Sequence, residues 1–225
     1  MTHTNQPTTT DTNTNTPWWP LWGLTLLSWW LASRFWPTLN PLNLTLAGEQ
    51  IAWYLSRASG IVAYLLLTAA TWWGLLLSSK MVKAEIPPAV TMALHNYLSW
   101  LAIGFSLFHA LILLADKYYT YTLAHIFIPF TGPYEPTWVG FGTIGFYLMG
   151  LTTVTFYLKS WIGAQRWRQI HYLTFVAYIF ITLHGWLVGS DQLFLGGLFL
   201  TSALGTFFLT IYRILAYQAP RTRRR

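Results

Sequence analysis

Charge is absent from five long stretches of this chain, residues 58–79, 86–115, 136–158, 169–190 and 192–212. Each reaches the length of about 20 residues that a helix needs to cross ~30 Å of hydrocarbon. A sixth apolar run, residues 18–33, is shorter and ends at Arg34, whose long side chain can snorkel to the interface. The pattern predicts an all-α integral membrane protein, a six-transmembrane-helix bundle forming one domain over residues 17–217. Residues 1–16, rich in Thr and Asn, read as a disordered tail, and 218–225 as a basic C-terminal tail. The start of the chain is not a signal peptide, because it has no basic opening and no small-residue cleavage site after the first apolar run.

Composition strengthens this reading. Charged residues make up 8% of the 225, too few to coat a water-facing surface. Trp and Tyr are abundant, as suits rings that sit at the membrane–water boundary. The absence of cysteine excludes disulfides, thiolate-held iron–sulfur clusters and covalent heme attachment. The net charge of +7 sits at helix ends and not on one face, so it speaks for topology and anionic lipid, not nucleic acid.

Lys and Arg orient the bundle. With both termini in the cytoplasm, ten of the 13 basic residues lie inside, and only Arg34, Arg57 and Lys117 lie outside. The expected location is the plasma membrane. The longest connection, about residues 116–136, is rich in Tyr and Pro and then lies outside; it reads as a re-entrant or interfacial segment, or as a cover over a site.

All six acidic residues avoid the apolar cores, and the strongly polar side chains well inside the spans are four histidines. An ionisable group in a bilayer is costly and marks function. His95 and His109 are 14 residues apart on the third span, and His171 and His184 are 13 apart on the fifth. At 1.5 Å per residue these spacings are about 21 Å and about 19.5 Å. The third and fifth spans run in the same sense, so His95 matches His171 in depth and His109 matches His184. Two bis-histidine sites at two depths suit two stacked b-type hemes, with His95, His109, His171 and His184 as iron ligands. On an ideal helix 14 residues keep one face, but 13 residues leave two side chains about 140° apart. The second pair therefore calls for local overwinding, tilted hemes, or both. Single membrane histidines also serve as interhelical hydrogen-bonders, and as proton relays beside carboxylates; the spans contain no carboxylate.

Heme propionates need cations. Arg57 and Arg34 are candidates outside; Arg168, Arg166, Lys80 and Lys83 are candidates inside, where plain topology signalling is the better account of each taken singly. His125 reads as an exposed loop residue, with a metal contact or a substrate pocket as the other options. Gly140, Gly142 and Gly145 spell G-x-G-x-x-G, but they open an apolar span with no acid about 20 residues on, so close helix packing is expected and no NAD(P) site. Gly185 and Gly189 read the same way.

Residues 54–217 resemble the ferric reductase-like transmembrane domain family, the type of membrane core found in ferric reductases, NADPH oxidases and the heme subunit of the bacterial methionine sulfoxide reductase system. Arg57-Ala-Ser-Gly60, Leu94-His95-Asn96-Tyr97-Leu98 with His109, and Gly163-Ala-Gln-Arg-Trp167-Arg-Gln-Ile-His171-Tyr172 with Tyr178 and His184 carry the likeness. The resemblance implies six helices, two b hemes ligated by His95 with His171 and His109 with His184, and one-electron transfer across the membrane. The 14-and-13 spacing is that family's pattern. No flavin or nicotinamide domain follows Tyr217, so the expected donor is a separate flavoprotein reductase or a quinol.

The leading expectation is a transmembrane di-heme cytochrome passing electrons to an extracytoplasmic acceptor: a protein, ferric iron or oxygen. The alternative is a structural or accessory heme-containing subunit of a larger membrane complex. A coupled transporter ranks below both, for want of intramembrane carboxylates and broken helices.

Overall fold

The computed structural model describes residues 51–79, 87–189 and 192–218. Among them every regular element is helical, and five stretches are long and apolar enough to cross a membrane. The sixth expected span, residues 18–33, lies outside the described residues, as do both tails, Arg34, Lys80 and Lys83.

The elements are α1 (Ile51–Ser78), α2 (Pro88–Leu111), α3 (Leu123–Phe127), α4 (Pro136–Tyr157), α5 (Lys159–Ile162), α6 (Ala164–His171), α7 (Leu173–Val188) and α8 (Gln192–Gln218). Proline opens both α2 and α4, where its missing N–H costs nothing. The last turn of α2 tightens into a 3-10 turn, Ile112–Ala115. There the Asp116 carboxylate stops the chain by accepting the N–H groups of Tyr118 and Tyr119 at 2.7 and 3.2 Å. Gly163, at φ 86, separates α5 from α6 in a backbone region that favours glycine.

The described helices belong to one compact unit, Glu49–Arg225. Two antiparallel hairpins form its centre. In the first, Gly60 and Gly74 of α1 meet His109 and His95 of α2; in the second, Gly142 and Gly145 of α4 meet His184 and Ile181 of α7. The helix α8 packs along α1 and α7 through Trp72 on Gly205 and Phe199 on Gly185.

The core mixes apolar and hydroxyl groups. Tyr64, Leu67, Ala102, Met149, Tyr178 and Phe199 form its buried cluster. Tyr64 Oη lies 3.3 Å from Tyr178 Oη, 3.2 Å from Thr182 Oγ1 and 3.0 Å from Ser202 Oγ, which ties α1, α7 and α8 together. Trp72 Nε1 donates to Thr206 Oγ1 at 2.9 Å beside it. Outward, the bundle is apolar: Leu204, Phe207, Phe208 and Leu215 of α8 are all more than half exposed. Such a face suits lipid and not water. Exposed Trp53, Tyr54 and Tyr118 mark one end of the bundle, and exposed Tyr157, Trp161 and Tyr217 the other.

A local tightening of the helix goes part of the way to meeting the 13-residue histidine spacing. The helix carrying it is interrupted at Tyr172, between α6 and α7. Tyr172 N–H reaches the carbonyls of both Arg168 and Ile170, and Phe175 N–H bonds Tyr172 O, three residues back, at 3.1 Å. A 3-10 turn winds about 20° more per residue than an α-helix, which swings His171 toward the face of His184. Over three residues that amounts to about 60° of the roughly 140° that the spacing calls for.

Candidate functional site

The structure brings the four membrane histidines together in two tiers. The ring centres of His95 and His171 are 6.3 Å apart with planes at 74°, and those of His109 and His184 are 6.0 Å apart at 73°. One tier lies toward α5 and α6; the other lies toward the 116–135 connection. The depth pairing expected from spacing is the pairing observed.

Three imidazoles are anchored in the same way. His95 Nδ1 donates to Ala70 O at 3.1 Å, His109 Nδ1 to Ser56 O at 2.6 Å, and His184 Nδ1 to Trp138 O at 3.1 Å. A carbonyl only accepts, so the ring proton sits on Nδ1 and Nε2 keeps its lone pair. In each case a glycine follows the carbonyl by four residues, at Gly74, Gly60 and Gly142. A Cβ at Gly60 would stand 2.8 Å from His109 Nδ1, at Gly142 2.7 Å from His184 Cγ, and at Gly74 3.2 Å from His95 Cε1. The glycine removes a side chain one turn along the helix, so the ring can lie against the backbone and reach the carbonyl. Ser56 adds a second hold on His109, donating its hydroxyl to His109 O at 3.0 Å.

His171 differs. Its Nδ1 is buried with no hydrogen-bond partner among the described residues, and the same holds for Trp167 Nε1. The two rings stack, centroids 5.2 Å apart and planes at 25°. Lys159 Nζ lies 4.6 Å from the Trp167 ring centre.

A cavity of about 590 Å³ opens beside the His109–His184 tier. Its walls include both histidines, Gly60, Tyr64 and Gly142, and it extends to Tyr118, Tyr119, Tyr121 and Tyr134 of the connection. The volume falls within the range of cofactor and small-ligand sites. Arg57 is half-buried in the wall, its guanidinium 4.5 Å from the Trp53 ring centre. Burial, then the Asp116 carboxylate, pushes the Tyr121 phenol up to about 12, so this part of the wall stays uncharged.

The connection answers two expectations made from sequence. Part of it forms α3 and lines the cavity through Tyr121, His125, Ile126 and Phe127. His125 is not a free loop residue. It is half-buried, faces the cavity and closes the capping box of α3: its Nδ1 accepts Thr122 N–H and its own N–H bonds Thr122 Oγ1, each at 3.3 Å. Loop position alone hid this, although Thr122 three residues before His125 is the local signal. Arg168 is exposed on α6, three residues before His171.

Gly140, Gly142 and Gly145 pack against Phe130, His184 and Ile181, as helix-packing glycines. That Gly142 seats an imidazole was not read from sequence, nor were Gly74, Ser56 and the carbonyl anchors. One signal was available: Gly60 and Gly74 are 14 residues apart, the spacing of His95 and His109 on the helix they face.

Among the described residues no three His, Cys, Asp or Glu side chains converge as a metal cluster. A bare ion between two imidazoles would lack its remaining ligands. The pairs suit a metal that arrives with a planar set of donors of its own. No protein family, curated protein or solved structure matches this chain.

Proposed function

We propose that this chain is a transmembrane electron-transfer protein of the ferric reductase-like kind, holding two b-type hemes, one between His95 and His171 and one between His109 and His184. The two histidine pairs carry the proposal. Two imidazoles sharing one metal, with metal–nitrogen bonds of about 2 Å, would have ring centres roughly 6 Å apart. The observed separations are 6.3 and 6.0 Å. Three of the four rings also turn Nδ1 to a carbonyl, which leaves Nε2 as the ligating atom and raises its basicity.

A heme bound at each tier supplies a one-electron iron couple. The chain's own residues hold and insulate it. The carbonyls of Ala70, Ser56 and Trp138 fix ring tautomer and direction, and Gly74, Gly60 and Gly142 give the rings their seats. Leu67, Phe146, Ile181 and Phe199 give the His109–His184 tier an apolar wall. Arg57 in that wall is the cation for a propionate there, and Arg168 is its counterpart at the other end. Transfer of an electron asks for no acid–base pair, which agrees with spans free of carboxylates.

The α6 end carries Lys159, Arg166, Arg168 and Arg213, against Arg57 and Lys117 at the other end. We take the α6 end as cytoplasmic by the positive-inside rule and the plasma membrane as the location; with the sixth span expected from sequence at residues 18–33, both termini then lie inside. Electrons then enter from a separate flavoprotein reductase or a quinol. They leave through the Tyr-lined cavity to an extracytoplasmic acceptor, a protein, ferric iron or oxygen.

The test is a dithionite-reduced minus oxidised visible spectrum of the purified protein, with a pyridine hemochrome count. The expected result is two b hemes per chain, with one lost in His95→Ala and the other in His109→Ala. Protein made with ample heme that carries none would overturn the proposal.

A further inference from the structure

Three of the four imidazoles take their hold from a neighbouring helix directly, through a carbonyl and the glycine four residues after it: Ser56 with Gly60 and Ala70 with Gly74 on α1, and Trp138 with Gly142 on α4. On α1 the two carbonyl–glycine pairs are 14 residues apart. Fourteen residues beyond Trp138 and Gly142 on α4 stand Thr152 and Phe156. The repeat therefore breaks at its fourth place: a Phe side chain stands where the seating glycine would be, and Thr152 O accepts the Thr155 hydroxyl at 3.2 Å. His171 Nδ1 is buried without a partner among the described residues.

What His171 has instead is the Trp167 ring, one turn back on α6, stacked on it at 5.2 Å and 25°. Trp167 is itself held from neighbouring elements: Phe156 of α4 meets it at 6.0 Å and 62°, and Lys159 Nζ of α5 lies 4.6 Å from its ring centre. The indole N–H bonds none of the described residues, so hydrogen bonding to them is not what keeps this ring in place. A hydrogen bond to Nδ1 fixes the plane of an imidazole. Without one the ring can turn about its Cβ–Cγ bond, a broad torsion, and a flat face laid against it removes that freedom.

We infer that Trp167 is the positioning residue of His171: stacked on the imidazole and braced by Phe156, it takes the place of the missing carbonyl and holds the ring at a steep angle to that of His95. The two planes stand at 74°, against 73° at the tier where both rings are anchored to carbonyls, so the stack achieves there what hydrogen bonds achieve at the other tier. On the heme reading above, on which this inference depends, outer partners of this kind orient the ligating rings. Trp167 acts through His171 alone.

The experiment uses the full chain in detergent, with hemes counted and the oxidised protein then examined by low-temperature electron paramagnetic resonance, which reads the angle between the two imidazole planes at a low-spin iron. The wild type is expected to show two hemes and two low-spin signals of the near-perpendicular type. Trp167→Leu, which fills space without a flat face, is expected to shift or broaden one signal and leave the other in place. Trp167→Phe, which restores a flat face, is expected to return the wild-type spectrum. If Trp167→Leu sheds the heme of this tier instead, its retention by Trp167→Phe supports the same role, and its loss from both variants overturns it. Two hemes and an unchanged spectrum in Trp167→Leu would overturn the inference and leave the functional proposal standing. So would an equal shift of both signals, which a general loosening of the bundle produces. A wild type without heme would overturn both.

Discussion

Alanine in place of the seating glycines tests the site at the scale of single atoms. At Gly142 and Gly60 the new Cβ would lie 2.7 and 2.8 Å from an imidazole, closer than real Cβ contacts come. The ring must then move, and moving it strains the bond to the carbonyl one turn away. On the proposed heme assignment, Gly142→Ala and Gly60→Ala are each expected to weaken heme retention at the His109–His184 tier by roughly tenfold or more, read as heme content after dialysis. Gly74→Ala, at 3.2 Å, acts on the other tier and more mildly. Gly104→Ala and Gly150→Ala, where nothing lies within 4 Å, serve as controls with full heme content. The histidines could be picked out from the sequence because polarity inside an apolar span stands out. Their seats could not, because a glycine in a membrane helix has many reasons to be there, and only the facing ring reveals which one applies.

At the scale of an element, the decisive feature is the interruption at Tyr172. Residues 164–184 contain no proline or glycine, so propensity gives no sign of a break there. Only the awkward 13-residue spacing hinted that the helix must wind faster than 3.6 residues per turn. Inserting two alanines between Tyr172 and Leu173 turns His171 by about 200° relative to α7. The expected outcome is loss of the His95–His171 heme with the other retained, so that heme content halves while the protein still folds. Equal loss from both tiers would mean that the turn at Tyr172 does not control one site alone. The span boundaries themselves were readable in advance. Pro88 and Pro136 open α2 and α4 close to where charge-free sequence begins, since hydropathy and helix-start chemistry point to the same place.

Across the whole molecule, α1, α7 and α8 are joined in the apolar core by hydroxyls. Tyr64→Phe removes three contacts at once, yet the hydroxyl of Thr182 also bonds its own helix, at Tyr178 O, and those of Ser202 and Thr206 likewise bond back along α8. The cost is therefore modest, about 0.6 kcal/mol and at most about 1.7 kcal/mol, typical of polar contacts between membrane helices. Unfolding in mixed micelles measures it, and heme content is expected to stay near wild type. A loss of several kcal/mol would mark the cluster as the keystone of the bundle. The sequence by itself determined the class of this protein, the position of its five described membrane helices and the histidines that face each other. Those properties follow from the expense of polar groups in hydrocarbon and from helical rise, which act on each segment separately. The tertiary structure alone decided which carbonyl holds each ring, why three rings are anchored and one is not, and how His171 reaches its tier across a broken helix. These depend on the register between neighbouring helices, which no single segment encodes.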